Sequence, residues 1–212
     1  MAQAVSKPAR VTPAEYLARE QASETKHEYI RGHVFAMAGA SPKHNWIGAN
    51  LISALKQRLR AGPCGVLTSD QAVYVEKTDT NTYPDVTVLC GPAKTHRDFP
   101  HSLTNPSVLV EVLSPSTEAY DRGEKFDHFR RLESLKEYVL VSSERRAVDH
   151  FLREANGKWT LTEARGADGA IRFPSLDVTV PLAEIYDGVE QVAPEGLLPD
   201  GETPHPPSAQ DA

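Results

Sequence analysis

A mixed α/β sheet with helices packed on it is the fold class this sequence predicts. Three observations lead there. From Trp46 to Leu59 apolar side chains recur at helical spacing. Short Val-rich runs bounded by turn residues read as strands on both sides of a second helix. Asn156-Gly157 between two alternating runs is a strong hairpin signal. The order of helix, three strands, helix and strand, with hairpins before and after, is a sheet covered by helices.

Taken in order, Thr12-Pro13-Ala14-Glu15 is a capping box with proline at the first helical position, so a helix starts at Pro13. His27–Ile30, Arg31-Gly32 and His33–Met37 form a β-hairpin. Ser41-Pro42 caps the next helix. Trp46, Ile47, Leu51, Ala54, Leu55 and Leu59 are its apolar face, and Gly62-Pro63 ends it. One strand is expected within Val66–Glu76, another over Tyr83–Cys90 and a third over Ser107–Leu113. Gly91–Pro106 reads as a polar loop. A helix follows over Glu118–Glu133, then strands over Glu137–Val141, Ala147–Arg153 and Lys158–Glu163. Phe173–Val180 adds a strand, and Pro181–Tyr186 a helical turn or two.

The 212 residues suffice for one domain with appendages. Hydrophobic residues make up 40% and charged residues 25%, enough for a core without disulfides or a structural metal. Residues 1–11 read as a flexible lead-in, 12–190 as the domain, and 191–212 as a disordered, acidic, Pro-rich tail. The net charge is −6, but Glu190, Glu195, Asp200, Glu202 and Asp211 carry five of those negative charges and no Lys or Arg follows Glu190. The body is therefore near neutral. A local basic groove is open to it and a globally basic coat is not. No run approaches the ~18 apolar residues of a membrane span, and residues 1–10 lack a signal peptide's apolar stretch. Cys64 and Cys90 have no zinc or redox spacing and read as reduced core thiols, which points to the cytoplasm.

Phosphate-binding glycine loops, GxGxxG, HExxH and a nucleophile elbow are missing, and Ser114 and Ser116 lack the glycines of such an elbow. Acid placement stands out instead. Asp85 opens an apolar strand, and alternation puts it on one face with Thr87 and Leu89, opposite Val86, Val88 and Cys90. Glu111 sits inside Val108–Leu113, sharing a face with Leu109 and Leu113. A carboxylate there is costly to bury unless paired, and two adjacent carboxylates call for a cation between them. Mg²⁺ takes one or two carboxylates plus water and phosphate oxygens. The plainer alternative has Asp85 capping the strand and Glu111 pairing with a buried Arg. In the next helix Asp121, Lys125 and His128 fall at i, i+4 and i+7, which is either a site-facing row or a solvated face. The short loop Ser114–Thr117 folds that helix back close to Glu111. Asp70 either faces the same site or satisfies backbone groups at a strand end.

Tyr83-Pro84-Asp85-Val86, Glu111-Val112-Leu113-Ser114-Pro115-Ser116-Thr117, Asp121-Arg122-Gly123-Glu124-Lys125-Phe126 and Glu137–Val141, with Glu28–Gly32 and His44 before them, resemble the Uma family of restriction endonucleases. That family lies within the PD-(D/E)XK nuclease superfamily, and the resemblance spans about residues 12–190. It implies a restriction-endonuclease-like mixed central sheet flanked by helices, with extra N- and C-terminal β-hairpins. It implies Asp85 and Glu111 as metal-holding carboxylates, with the Val112 carbonyl as a further ligand and Mg²⁺ or Mn²⁺ as cofactor. Leu113 stands where the superfamily motif has Lys, and Lys125 is the candidate for the displaced lysine. Glu28 is carried over as a further metal or water ligand. For His44 a helix-capping or surface role stays equally open. Arg122, Arg130 and Arg131 are candidates for phosphate contacts. The implied function is Mg²⁺-dependent hydrolysis of phosphodiester bonds in nucleic acid, with DNA as partner and a homodimer as a possible assembly. The alternative is a nuclease-fold binding or accessory protein without turnover.

Overall fold

The computed structural model describes residues 10–192 and Leu197. Helix α1 (Pro13–Ala22) begins at the capping box: Thr12 accepts from the Glu15 N–H, and Glu15 reaches back to the Thr12 N–H at 2.8 Å. Strands β1 (His27–Ile30) and β2 (His33–Ala36) form the expected hairpin. Arg31 and Gly32 both have positive φ (52° and 87°), the backbone of a two-residue hairpin turn. A Cβ on Gly32 would stand 2.9 Å from Arg10 Cβ, so glycine is required there twice over. Helix α2 (Pro42–Leu59) is capped by Ser41, which accepts from the His44 N–H at 3.2 Å.

Then come β3 (Cys64–Leu67), β4 (Val73–Val75), a 3₁₀ turn (Glu76–Thr78), β5 (Thr80–Thr82), β6 (Val86–Cys90), β7 (Thr95–His96), β8 (Phe99–Leu103) and β9 (Val108–Leu113). Helix α3 (Glu118–Tyr120), a π-helical segment (Asp121–Lys125) and α4 (Phe126–Phe129) run on without a break. Strands β10 (Glu137–Ser142), β11 (Ala147–Arg153), β12 (Trp159–Arg165), β13 (Ala170–Phe173) and β14 (Val178–Pro181) precede α5 (Leu182–Ile185) and a 3₁₀ turn (Val189–Gln191).

The strands make two six-stranded mixed sheets and a separate β13–β14 hairpin. Sheet one runs β2-β1-β5-β4-β8-β7 and sheet two runs β12-β11-β10-β9-β6-β3. Alternation along β9 decides what each face of sheet two meets. Val108, Val110 and Val112 join Val86, Val88, Val139 and Val141 under Ile47, Leu51 and Leu55 of α2. Leu109 and Leu113 face the other way, where they meet Tyr138, Leu140, Phe129 of α4 and Val73 and Val75 of sheet one. This second cluster joins the two sheets. The far face of sheet one is covered by α1 through Tyr16, Tyr29, Tyr74 and Phe99.

Several expectations need correction. Val66–Glu76 holds parts of two strands, and β5 follows as a third, too short to show a period of two. The polar loop Gly91–Pro106 contains β7 and β8, whose Phe99, Ser102 and Leu103 are buried while their neighbours are exposed. Phe173–Val180 is a hairpin, not one strand, and it turns through Asp177 at φ 52°. The helix from Glu118 ends at Phe129, four residues early, and contains the π turn. Cys64 and Cys90 are not free thiols. They face each other in the antiparallel β3–β6 register, with Cα atoms 4.0 Å apart, and are joined in a disulfide. Their separation of 26 residues hid a pairing that only the strand register creates. The thiol argument for a cytoplasmic location falls with it.

At the C-terminal end, order continues through the turn at Gln191 and Val192, and Leu197 packs against the α2-side core. The rest of the expected tail and residues 1–9 lie outside the described residues. Among the described residues no helix is long and apolar enough to cross a membrane.

Phe99 is fully buried and stacks on Tyr74 at 4.2 Å, in the segment whose sequence looks like loop. Phe99→Ala should cost about 3–5 kcal/mol in urea unfolding, whereas a loop residue would cost less than about 0.5. Asp149 on β11 pairs with Arg122 and Arg165. Burial raises its pKa, but hydrogen bonds from the two guanidiniums outweigh that and hold it below the ordinary value. A depressed carboxyl stabilises the fold above its unfolded pKa of about 3.9 and loses that contribution as pH falls through the folded value. Wild type should therefore lose stability below about pH 4 more steeply than Asp149→Asn, as read by thermal melts across pH.

Candidate active site

The site forms where β6 and β9 run side by side. Val86 pairs with Val110, so one step further along the antiparallel register Asp85 falls opposite Glu111. Asp85 Oδ2 accepts the Val112 N–H at 2.7 Å. Val112 thus meets the site through a backbone donor. His44, in the first turn of α2, brings Nε2 to 3.1 Å from the same oxygen. Ser41 caps the helix through the His44 backbone, and this leaves the imidazole free to reach Asp85.

Glu111 is buried, and the Lys125 ammonium lies 2.9 Å from its Oε1. The same ammonium is 3.5 Å from Asp121 Oδ1 and 3.8 Å from Glu28 Oε1. Glu28 comes from β1 of sheet one. Thr82 Oγ1 donates to its Oε1, and Tyr120 OH donates to its Oε2 at 3.1 Å. Both sheets and the π-helical segment therefore converge on one lysine.

A π turn inserts one residue and rotates the succeeding helical turns by about 100° relative to a continuous α-helix. Asp121 and Lys125 are buried against the carboxylates, while Phe126 and Phe129 pack into the cluster that joins the sheets. The Tyr138 hydroxyl donates to the Asp121 carbonyl at 2.9 Å and ties the segment to β10.

The electrostatics result from burial and charge count. Glu28, Asp85, Glu111 and Asp121 surround a single ammonium. Burial would depress the lysine, but Glu111, Glu28, Asp121 and Asp85 outweigh it and keep Lys125 charged. Burial also pushes the Glu111 carboxyl well up. Lys125 works against that shift, and Asp85 and Asp121 reinforce it. Asp121 is raised by burial too, against the pull of Lys125. Burial lowers His44, yet the hydrogen bond and charge of Asp85 leave it above its ordinary value.

The cluster is one of excess negative charge. Glu111 Oε1 lies 2.9 Å from the ammonium, which Asp121 and Glu28 share. Hard carboxylate oxygens in surplus over the one ammonium suit a hard divalent cation. Among the described residues no three His, Cys, Asp or Glu side chains form a ready-made cage. A cation here would take few protein ligands and fill its shell with water and phosphate oxygens, which is how Mg²⁺ binds.

Other candidates go elsewhere. Asp70 is exposed in the β3–β4 turn and pairs with Lys26. His128, expected in one row with Asp121 and Lys125, makes its contacts with Thr80 at 3.4 Å and Glu124 at 3.9 Å. Arg122 is engaged by Glu118 and Asp149, and Arg130 by Asp127 at 2.6 Å. Arg131 is exposed. Sequence reasoning did not single out Thr82 and Tyr120. Each directly precedes a motif of the site, Tyr83-Pro84-Asp85 and Asp121-Arg122, and that adjacency was the available signal.

The Uma2 family, described as "Putative restriction endonuclease", matches residues 13–183. "Uncharacterized protein slr1290" of Synechocystis sp. is 35% identical over 180 residues, covering 85% of this chain and 93% of the relative. "Uncharacterized protein sll1609" of the same organism is 32% identical over 168 residues, covering 79% and 95%. The crystal structure of "a putative nuclease belonging to DUF820" from Anabaena variabilis superposes with a TM-score of 0.69, covering 84% of this chain and 99% of that one. At 16% identity that likeness establishes the fold, and the match over most of the domain establishes the family. The chain belongs to the Uma2 family.

Proposed function

We propose that the protein is a divalent-metal-dependent endonuclease that hydrolyses phosphodiester bonds in nucleic acid, with DNA the substrate to test first. The observation that carries this reading is the placement of Asp85, one residue before the Val86–Val110 pair, and Glu111, one residue after it, beside a buried, charged Lys125. The family description and the nuclease-like fold support it.

Asp85, Glu111 and the Val112 carbonyl would hold Mg²⁺ or Mn²⁺, which supplies polarisation of the scissile phosphate and a water of lowered pKa. Lys125 orients the attacking water and offsets charge that grows on the phosphate. Its ammonium is fixed by three carboxylates, so little reorganisation accompanies the reaction. His44 and the Val112 N–H aim Asp85 from two sides. Thr82 and Tyr120 hold Glu28 at the lysine, where it steadies the ammonium or a water.

The test is incubation with supercoiled and linear DNA in Mg²⁺ or Mn²⁺, with an EDTA control. Metal-dependent cleavage is expected. DNA binding without cleavage in either metal would make this a nuclease-fold binding protein.

Lys125→Met keeps the stem and removes the charge. It should lower cleavage by about 10²–10³-fold. It should also destabilise the metal-free protein by about 3–5 kcal/mol in urea unfolding, because the buried carboxylates lose the ammonium between them. The lysine is therefore not free to be removed at no cost to the fold, as a solvent-facing helix position would be.

Glu111→Gln removes one of the repelling charges. Its metal-free melting temperature should equal or exceed wild type, and the upward shift that Mg²⁺ or Mn²⁺ gives wild type should vanish along with cleavage. A mutant that keeps the metal-induced shift would place the ion elsewhere.

A further inference from the structure

Among the described residues, Phe35 and Leu161 are the exposed large hydrophobics. Single exposed apolar residues need no explanation on their own. Phe35 differs in its position. It pairs directly with Glu28 across the β1–β2 hairpin. Residues opposed in an antiparallel pair project from the same face, with Cβ atoms about 4.5–5.5 Å apart. Glu28 reaches from that face to Lys125 and Tyr120. Tyr29 and Val34, one residue away on each strand, turn to the opposite face and join the aromatic cluster under α1. The Phe35 ring therefore stands on the active-site face, at the rim of the carboxylate cluster, with 52% of the residue exposed.

The surroundings leave the ring open. β2 is the outer strand of sheet one. The chain leaves it through Ala36, Met37, Ala38, Gly39 and Ala40, of which only the half-buried Met37 is large, and Phe35 stays 52% exposed beside it. His33, two residues back on the same face, brings its imidazole to 6.5 Å from the phenyl, centroid to centroid. The result is a small aromatic platform beside a site that would otherwise present only charged and polar groups.

We propose that Phe35 is a substrate-stacking residue: its ring takes the face of a nucleobase next to the phosphodiester held at Asp85 and Glu111. This rests on the nuclease reading and adds a nucleobase contact to it. A base is neutral, flat and matched in size to one phenyl ring, and stacking tolerates any base because each has a π-face. A second copy of the chain fits less well. A stable protein interface buries about 1,200–2,000 Å², far more than one ring and the short segment beside it provide. The neutral base also places no charge beside the acidic cluster, which would repel a phosphate set there without a cation.

The experiment uses the full chain and oligonucleotides carrying 2-aminopurine at successive positions, titrated in Ca²⁺, with plasmid cleavage in Mg²⁺ measured in parallel. Phe35→Ala, Phe35→Leu and Phe35→Trp are compared after thermal melts establish that each is folded. Wild type should bind with a fluorescence change at one position. Phe35→Ala and Phe35→Leu should weaken binding by about tenfold and lose that change, and Phe35→Trp should restore both. Equal binding and equal fluorescence in all variants, with cleavage intact, would overturn the stacking role and leave the nuclease reading standing. The position-specific change without plasmid cleavage in wild type would uphold stacking while the catalytic reading fails. Wild type that binds no DNA would overturn both. A Phe35→Ala variant altered only in sedimentation, with DNA binding unchanged, would assign the ring to a second copy and overturn the proposal.

Discussion

One ammonium sets the terms for the centre of this molecule. Lys125 sits in a buried space with Glu111, Asp121 and Glu28 around it, and Asp85 is close enough to act on its charge. Without a cation there, β9 could not carry Glu111 between Leu109 and Leu113, because an unpaired buried carboxylate costs several kcal/mol. The lysine lets the strand keep its acid. In turn it demands a helix placed to deliver it, a hairpin that brings Glu28 from the other sheet, and a π turn that sets the phase. One lysine cannot balance four carboxylates, and the remaining negative charge is the surplus to which a divalent ion would answer.

The arrangement also explains why two sheets meet at this point. Glu111 and Asp85 belong to sheet two, and Glu28 and Thr82 to sheet one. Below them Val73 and Val75 contact Leu109 and Leu113 in a dry cluster closed by Phe129 and Tyr138. The apolar contact holds the sheets together, and the polar cluster sits on top of it. Glu111 keeps only 3% of its side chain exposed while Asp85 keeps 20%, so the cluster is closed at its centre and opens toward the surface at Asp85.

Much of this was legible along single elements. The valine and leucine alternation of β9 declares that Glu111 shares a face with Leu109 and Leu113, and the caps at Thr12 and Ser41 mark both early helices. Alternation puts each acid on a definite face of its own strand, the family resemblance implied that the two act together, and the antiparallel β6–β9 register is what brings Asp85 opposite Glu111. The features that stayed hidden depend on partners far away in the chain. β8 is a strand because β4 and β7 flank it, and its own sequence, Phe99-Pro100-His101-Ser102-Leu103, reads as loop. His44 reaches Asp85 only once α2 lies on sheet two, and nothing within the helix announces that contact. Tyr120 and Thr82 are ordinary residues until the fold brings Glu28 between them.

The cross-strand disulfide gives this topology a covalent boundary. The chain leaves sheet two after β3, passes through β4 and β5 of sheet one, and returns to sheet two as β6. Cys64 and Cys90 close that excursion at its base. Thr82, Pro84 and Asp85 all lie inside the resulting ring, so the acid that faces Glu111 and the threonine that steadies Glu28 belong to one closed loop whose ends cannot separate. By the chain-entropy account, closing a loop of this length removes roughly 3–4 kcal/mol of freedom from the unfolded chain. The ring also fastens β3, the outer strand of sheet two, covalently to β6.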